Sequence, residues 1–267
     1  MTAPYVVTIA KYGTRSTVRS DVYLNHHLYH EADAPIDMDY FFWVIRNDET
    51  TIVVDTGYSR QGGEARKRTT LMSPPELFAA LGVDPATSPD IILTHAHYDH
   101  MGNLDHFPTS TIYMSRVEYE FWTGANSQQV LFHHSIEDSE MEALAAAFAE
   151  GRVRFFDDSP EIAPGIEVIE IGGHTPGQAI VKVDTADGVV LLASDSAHYY
   201  EEYEADMPFM AVADLVRMYD GFALVREMVA SGEVQHVVSG HDPSTLDRFT
   251  RVDGELNALV ATVGEVR

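Results

Sequence analysis

Short apolar runs, each closed by a polar or glycine-rich turn, recur along the chain. They predict β-strands at residues 5–9, 38–45, 51–55, 89–93, 111–114, 153–156, 166–171, 179–183, 189–193 and 237–239. Between them the period lengthens. Ser73-Pro74-Pro75-Glu76 reads as a helix start with proline in its first turn, followed by apolar Leu77, Phe78 and Leu81 and closed by Gly82. Residues 116–122, 137–150 and 212–230 carry the other helical patterns. A loop holding Asp21, His26, His27, His30 and Pro35 joins the first two strands, a second loop spans 126–134, and a tail follows 239. Strands followed by helices, twice over, predict two similar halves stacked sheet against sheet. The expected fold is α/β, a four-layer α/β/β/α sandwich formed as one domain over residues 1–267. The duplication is one of topology, because no sequence repeat accompanies it.

Composition narrows the function. With 45% hydrophobic residues the 267-residue chain can bury a substantial core. Its net charge of -25, from 17 basic and 42 acidic residues, argues against binding nucleic acid or an anionic membrane through a basic surface. There is no cysteine, hence no disulfide, no zinc–thiolate site and no cysteine nucleophile. Any metal is therefore held by nitrogen and oxygen. Residues 1–11 lack a charged segment leading into a long apolar one, and no apolar run reaches the length of a membrane span. A soluble, cytoplasmic protein is the expectation.

The segment Thr94-His95-Ala96-His97-Tyr98-Asp99-His100 follows the apolar run Ile91-Ile92-Leu93 and places three imidazoles and a carboxylate at the end of one strand. Such groups are costly to bury unless paired, hydrogen-bonded or bound to a cation, so packing alone is a poor explanation. Three more residues stand in the same setting. His174 lies in the turn Gly172-Gly173-His174-Thr175-Pro176-Gly177, Asp195 follows the strand ending Leu192-Ala193-Ser194, and His241 follows Val237-Val238-Ser239-Gly240. Each of these alone reads more readily as structural; their recurrence at strand ends is what points to one site. Gly172, Gly173 and Gly177 read as serving backbone geometry.

Taken together, His95-x-His97-x-Asp99-His100, His174 in Gly-His-Thr-Pro-Gly, Asp195, His241 in Ser-Gly-His and Asp55-Thr56-Gly57 resemble the metallo-β-lactamase superfamily over nearly the whole chain. Phe121-Trp122-Thr123-Gly124, the ligand spacing and the stretch from Leu192 to Glu201 are most similar to the N-acyl homoserine lactonase group. The resemblance implies two divalent metal ions. His95, His97 and His174 would hold one, Asp99, His100 and His241 the other, and Asp195 would bridge them. Zinc is the first expectation; manganese, iron and cobalt also accept such ligands. The activity implied is hydrolytic opening of a lactone by metal-activated water, with Asp99 carrying the proton to the leaving alkoxide. A quorum-quenching role, a small-molecule lactone as partner and a homodimer belong to the same implication.

Asp55 has two readings, a cap in its own tight turn and a carboxylate that orients the ligand loop as in the resembling family. One departure concerns substrate. Better-known homoserine lactonases carry a tyrosine three residues after the bridging aspartate, where this chain has His198, followed by Tyr199 and Tyr200. His198 replaces that tyrosine, or a neighbouring tyrosine swings in, with Tyr199 the first of them, or His198 is an ordinary loop residue. The loop with His26, His27 and His30 and the stretch from Phe121 to His134 are candidate pocket walls, and of the aromatics Tyr23, Phe41, Phe42, Phe121 and Trp122 half at most are expected there. His133 and His134 read as plain loop residues.

Rival readings share the ligand set. A glyoxalase II-like thioester hydrolase calls for basic residues near the C-terminus, where residues 248–267 are poor in them. A persulfide dioxygenase uses one iron held by two histidines and an aspartate. Exported β-lactamases call for a signal peptide, nucleases for positive charge, and flavodiiron proteins for a glutamate where His97 stands. A binding or scaffold protein that has lost catalysis is the remaining class, and an intact ligand set argues against it.

Overall fold

The computed structural model describes residues 3–156 and 161–265; residues 1–2, 157–160 and 266–267 of the predicted 1–267 span lie outside it. Among the described residues two sheets form, of nine and five strands. The first contains β1 (Val6–Val18), β2 (Pro35–Arg46), β3 (Thr51–Val54), β4 (Thr69–Thr70), β5 (Asp90–Ile92), β6 (Ile112–Ser115) and β7 (Val153–Phe156). The second contains β8 (Glu161–Ala163), β9 (Ile166–Glu170), β10 (Ala179–Thr185), β11 (Gly188–Ser194) and β12 (His236–Ser239). The chain then returns to the first sheet with β13 (Thr250–Arg251) and β14 (Val260–Val263), giving the order β13-β14-β1-β2-β3-β5-β6-β7 with β4 on β1.

Side-chain alternation makes the layers. In β2, Phe41, Trp43 and Ile45 enter the core between the sheets, where Val181 and Val183 of β10 meet them, whereas Phe42 and Val44 face the helical side. In β11, Val190 and Leu192 face the other sheet while Leu191 and Ala193 face helices. Strands buried on both faces read as continuous apolar runs, which is why both were plain in the sequence. The helices are α1 (Arg60–Ala65), α2 (Pro74–Ala80), α3 (Tyr98–Met101), α4 (Arg116–Trp122), α5 (Val130–His133), α6 (Asp138–Ala149), α7 (Tyr200–Ala205) and α8 (Leu215–Ser231). Leu77 and Phe78 of α2 and Leu144 of α6 pack on the first sheet, and Met218, Phe222 and Val225 of α8 on the second. The architecture is the expected α/β/β/α sandwich. No helix among the described residues is long and apolar enough to cross a membrane.

The structure corrects several boundaries. β1 runs nine residues beyond its predicted end at Ile9, and β2 begins three residues before its predicted start at Met38. Their ladder continues to Val18↔Pro35 past a register shift at Lys11/Gly13. Thr14, Arg15, Ser16 and Thr17 present no apolar face, so only main-chain pairing reveals this arm. The predicted tail contains β14, an interior strand between β13 and β1. α7 was not predicted, and the last helix starts at Leu215, where the Asp214 carboxylate accepts from Val216 N–H and Arg217 N–H. The two halves are unequal, because one sheet has nine strands and the other five.

Candidate metal centre

Five strand ends meet at one edge of the sandwich. β3 and β5 are parallel neighbours in one sheet, β11 and β12 in the other, and β9 runs in the same sense as β11. Their carboxyl ends deliver Asp55, the 95–100 segment, His174, Asp195 and His241, as strand ends in α/β sheets deliver ligand sites generally. Two tight backbones allow the approach. Gly173 has φ +93, and a Cβ there would stand 2.8 Å from the Met218 Cα. A Cβ on Gly240 would lie 2.7 Å from Asp195 Oδ1.

The seven predicted ligands are buried and fall into two groups, His95, His97, His174 and Asp195 in one and Asp99, His100 and His241 in the other. Asp195 divides its oxygens between them. Oδ2 lies 3.6 Å from His95 Nε2 and 3.4 Å from His174 Nε2; Oδ1 lies 3.3 Å from His100 Nε2 and 3.1 Å from His241 Nε2. His97 Nδ1 and His174 Nε2 approach to 2.9 Å. Asp99 sits near the second pair, 4.0 Å from His100 Nε2 and 3.9 Å from His241 Nε2.

The outer nitrogens fix which lone pair faces inward. His100 Nδ1–H donates to Asp55 Oδ2 at 2.7 Å, His241 Nδ1–H to the Asp39 carbonyl at 2.6 Å, and His174 Nδ1–H to the Ala211 carbonyl at 2.7 Å. His95 Nδ1–H has Thr94 Oγ1 at 3.1 Å. Asp55, at φ +61, also accepts from Thr94 N–H and Thr94 Oγ1–H. Its carboxylate thus both closes its own turn and reaches a cluster imidazole, so the two readings of Asp55 describe one arrangement.

The donor set fits metal ions. Buried and without hydrogen-bond partners, the Nε2 atoms of His95, His100 and His241 and Oδ1 of Asp195 all face the cluster. Burial and neighbouring imidazoles push His95 and His97 well below the ordinary histidine range, and burial takes His174 down to about 3. Those rings are neutral, the form that coordinates a cation. Burial would also lower His100, but Asp195, Asp55 and Asp99 hold it well above its usual value. Burial would raise Asp195, yet His241, His198, His100 and His95 hold it well below the carboxylate range.

The cluster opens into a cavity of 710 Å³ lined also by Tyr40, Tyr98, Phe132, Phe209 and Met210. His198 lines it, with Nε2 3.1 Å from Asp195 Oδ2 and Nδ1 3.2 Å from Glu202 Oε1, its ring stacked on Phe209 at 3.7 Å. The neighbouring tyrosines turn away. Tyr199 OH donates to the Asp37 carbonyl and Tyr200 OH to the Val237 carbonyl. Tyr23, Phe41, Phe42, Phe121 and Trp122 are absent from the cavity wall, as are His26, His27 and His30. Trp122 instead packs edge-on against His97 at 5.3 Å. Of the 126–134 loop, Gln129 to Phe132 and His134 do line the cavity.

One residue central to the site escaped the sequence. Glu118, fully buried in α4, accepts from Ala96 N–H (2.9 Å), Trp122 Nε1–H (2.6 Å), Thr175 Oγ1–H (2.8 Å) and Gly177 N–H (2.9 Å). It ties the His95–His97 loop to the His174 turn. The available signal was a glutamate four residues before Trp122 on the buried side of a short helix. Glu118→Ala is expected to cost about 3 kcal/mol or more, since it strands several buried donors. Urea unfolding of the metal-loaded protein checks this; an unchanged midpoint would show that the two loops hold without it.

Residues 39–222 match the sequence profile of the metallo-beta-lactamase superfamily. An N-acyl homoserine lactonase from a Bacillus species is 24% identical over 222 residues, 78% of this chain and 82% of that protein. Among solved structures, an N-acyl homoserine lactone hydrolase with N-hexanoyl-L-homoserine bound at its catalytic metal centre superposes with a TM-score of 0.75 at 19% identity, covering 93% of this chain and 97% of that one. AidC, a dizinc quorum-quenching lactonase in complex with a product, gives a TM-score of 0.72 at 18% identity, covering 100% and 96%.

Proposed function

The chain belongs to the metallo-β-lactamase superfamily, and we propose that within it this protein is a dinuclear metal hydrolase that opens the ring of an N-acyl homoserine lactone or a related small lactone. The observation that carries the reading is the split of the Asp195 carboxylate, with one oxygen toward His95 and His174 and the other toward His100 and His241. A single-iron dioxygenase has no use for the second set of buried donors. The lactonase names of the relatives favour a lactone over the other ester-like bonds that this ligand set can break.

His95, His97 and His174 would hold one ion and Asp99, His100 and His241 the other, with Asp195 between them and zinc as the proposed metal. Such ions, when bound, supply Lewis acidity toward a carbonyl and bring the pKa of water to about 7. The chain's own residues do the rest. Asp55 and the carbonyls of Asp39 and Ala211 hold the imidazoles in one tautomer. Asp99, which lines the cavity, passes the proton to the departing alkoxide. His198 donates toward the carbonyl oxygen in place of the tyrosine found in resembling lactonases. Tyr199, with its hydroxyl committed to Asp37, is left out of this assignment.

The purified protein is expected to carry two metal ions per chain by elemental analysis. In a pH-indicator screen, lactones of varied ring and tail should be hydrolysed well ahead of glutathione thioesters. One iron with no second metal, or preference for the thioesters, would sink the lactonase reading.

A further inference from the structure

Arg15 and Arg68 both line the cavity that holds the cluster. Arg15 projects from the polar arm of β1, where its backbone pairs with Met38, and Arg68 lies between α1 and β4. Arg68 Nε–H donates to Tyr98 OH at 2.9 Å, while Arg15 Nε is buried with no hydrogen-bond partner. Neither guanidinium forms an ion pair with a carboxylate of the described residues. Other arginines of this chain do. Arg19 pairs with Glu31 and Glu201, Arg66 with Glu137, and Arg226 with Asp206. Arg46 and Arg248 also lack a carboxylate partner, so what sets Arg15 and Arg68 apart is that both face the one cavity that holds the cluster.

Tyr40 neighbours both the cluster and Arg68. Its ring lies 5.1 Å from the His241 ring and 5.6 Å from the Arg68 guanidinium carbon. Burial raises the Tyr40 phenol, and the charges of Arg68 and Arg15 both act against that rise, which places both within electrostatic reach of the one ring. A planar guanidinium matches a carboxylate in a two-pronged hydrogen bond, and a pocket with low-dielectric walls strengthens it.

We propose that Arg15 and Arg68 form an anion subsite in the cavity that holds the cluster, so that the substrate is a small lactone bearing a carboxylate. The word lactone rests on the function proposed above; the subsite rests on the two arginines. Calorimetric titration of the zinc-loaded protein separates them, using ring ethers that cannot be hydrolysed. Tetrahydrofuran-2-carboxylate is expected to bind at least tenfold tighter than tetrahydrofurfuryl alcohol. Arg15→Met and Arg68→Met should each lose that advantage, and Arg68→Lys should recover part of it. Equal binding of acid and alcohol would overturn the subsite. So would acid binding untouched by both methionine variants, since the carboxylate would then sit on the metal ions. Tighter binding of tetrahydrofurfuryl phosphate than of the carboxylate would overturn the choice of a carboxylate. In turnover, the methionine variants should raise KM for a carboxylated butyrolactone at least tenfold and leave a neutral butyrolactone within twofold. If neither lactone is hydrolysed while calorimetry still discriminates, the lactonase reading fails and the subsite stands.

Discussion

Asp195→Asn is expected to lower lactone hydrolysis by on the order of 10³-fold or more and to leave fewer than two metal ions per chain. The substitution changes one oxygen to an amide nitrogen and almost nothing in volume. Whichever way the amide turns, its NH2 meets imidazole nitrogens that also need a partner. It faces His95 and His174 in one orientation, His100 and His241 in the other. An NH2 group has no lone pair to offer a cation. The negative charge held between the two histidine groups is lost as well, in a place where burial makes it count. Elemental analysis alongside a lactone assay checks both halves of the expectation. A variant with two ions and full turnover would show that Asp195 does not lie between metals.

The parts of this site legible in the sequence are those in which chemistry coincides with a strand end. β5, β11 and β12 are short and largely apolar, and each is followed within three residues by a proposed ligand, so His95, Asp195 and His241 could be placed before any fold was known. The central strands were legible for a related reason. Strands such as β2 and β11 are buried on both faces and leave an unbroken apolar signal. β14 and the outer half of β1 lacked it. Val260 to Val263 is too short to show a period, and Thr14 to Thr17 is held by ladder hydrogen bonds that carry no side-chain signature.

Of the groups that hold the imidazoles in place, only Asp55 was legible in the sequence; the others are set by tertiary proximity. The carbonyls of Asp39 and Ala211 orient the imidazoles of His241 and His174, and a carbonyl has no sequence signature at all. Glu118 is 22 residues from Ala96 and 59 from Gly177, so its four hydrogen bonds exist only in the folded sandwich. The pocket wall was legible in part, since the 121–134 stretch does supply Gln129 to Phe132 and His134. Phe41 and Phe42 read as aromatics suited to an apolar substrate, but strand alternation sends both into cores, while the cavity takes Phe132 from the 126–134 loop and Phe209 from a segment with no predicted element.

His198→Ala is expected to lower kcat by about 10²- to 10³-fold, the usual cost of removing one donor aimed at a developing oxyanion, while two metal ions remain bound. The ring has little freedom to do anything else. Phe209 stacks on it with an interplanar angle of 15°, and Glu202, fully buried, faces its Nδ1. Glu202 is itself fixed, because Oε1 accepts from Tyr199 N–H at 2.9 Å at the start of α7. That clamp leaves Nε2 on the cavity side, unpaired except for its approach to Asp195. A donor used only as charge develops affects kcat and kcat/KM alike and leaves KM nearly unchanged. Glu202→Gln, which weakens the clamp and keeps the imidazole, should show the same pattern at roughly tenfold, within the range for a residue that orients another. Steady-state kinetics with parallel metal analysis separates a substrate-facing His198 from a loop residue and from a metal ligand, a role the sequence did not suggest. Metal loss in His198→Ala would make the imidazole a ligand, and unchanged kinetics would make it an ordinary loop residue. A fall in kcat at full metal content would assign it to the substrate carbonyl.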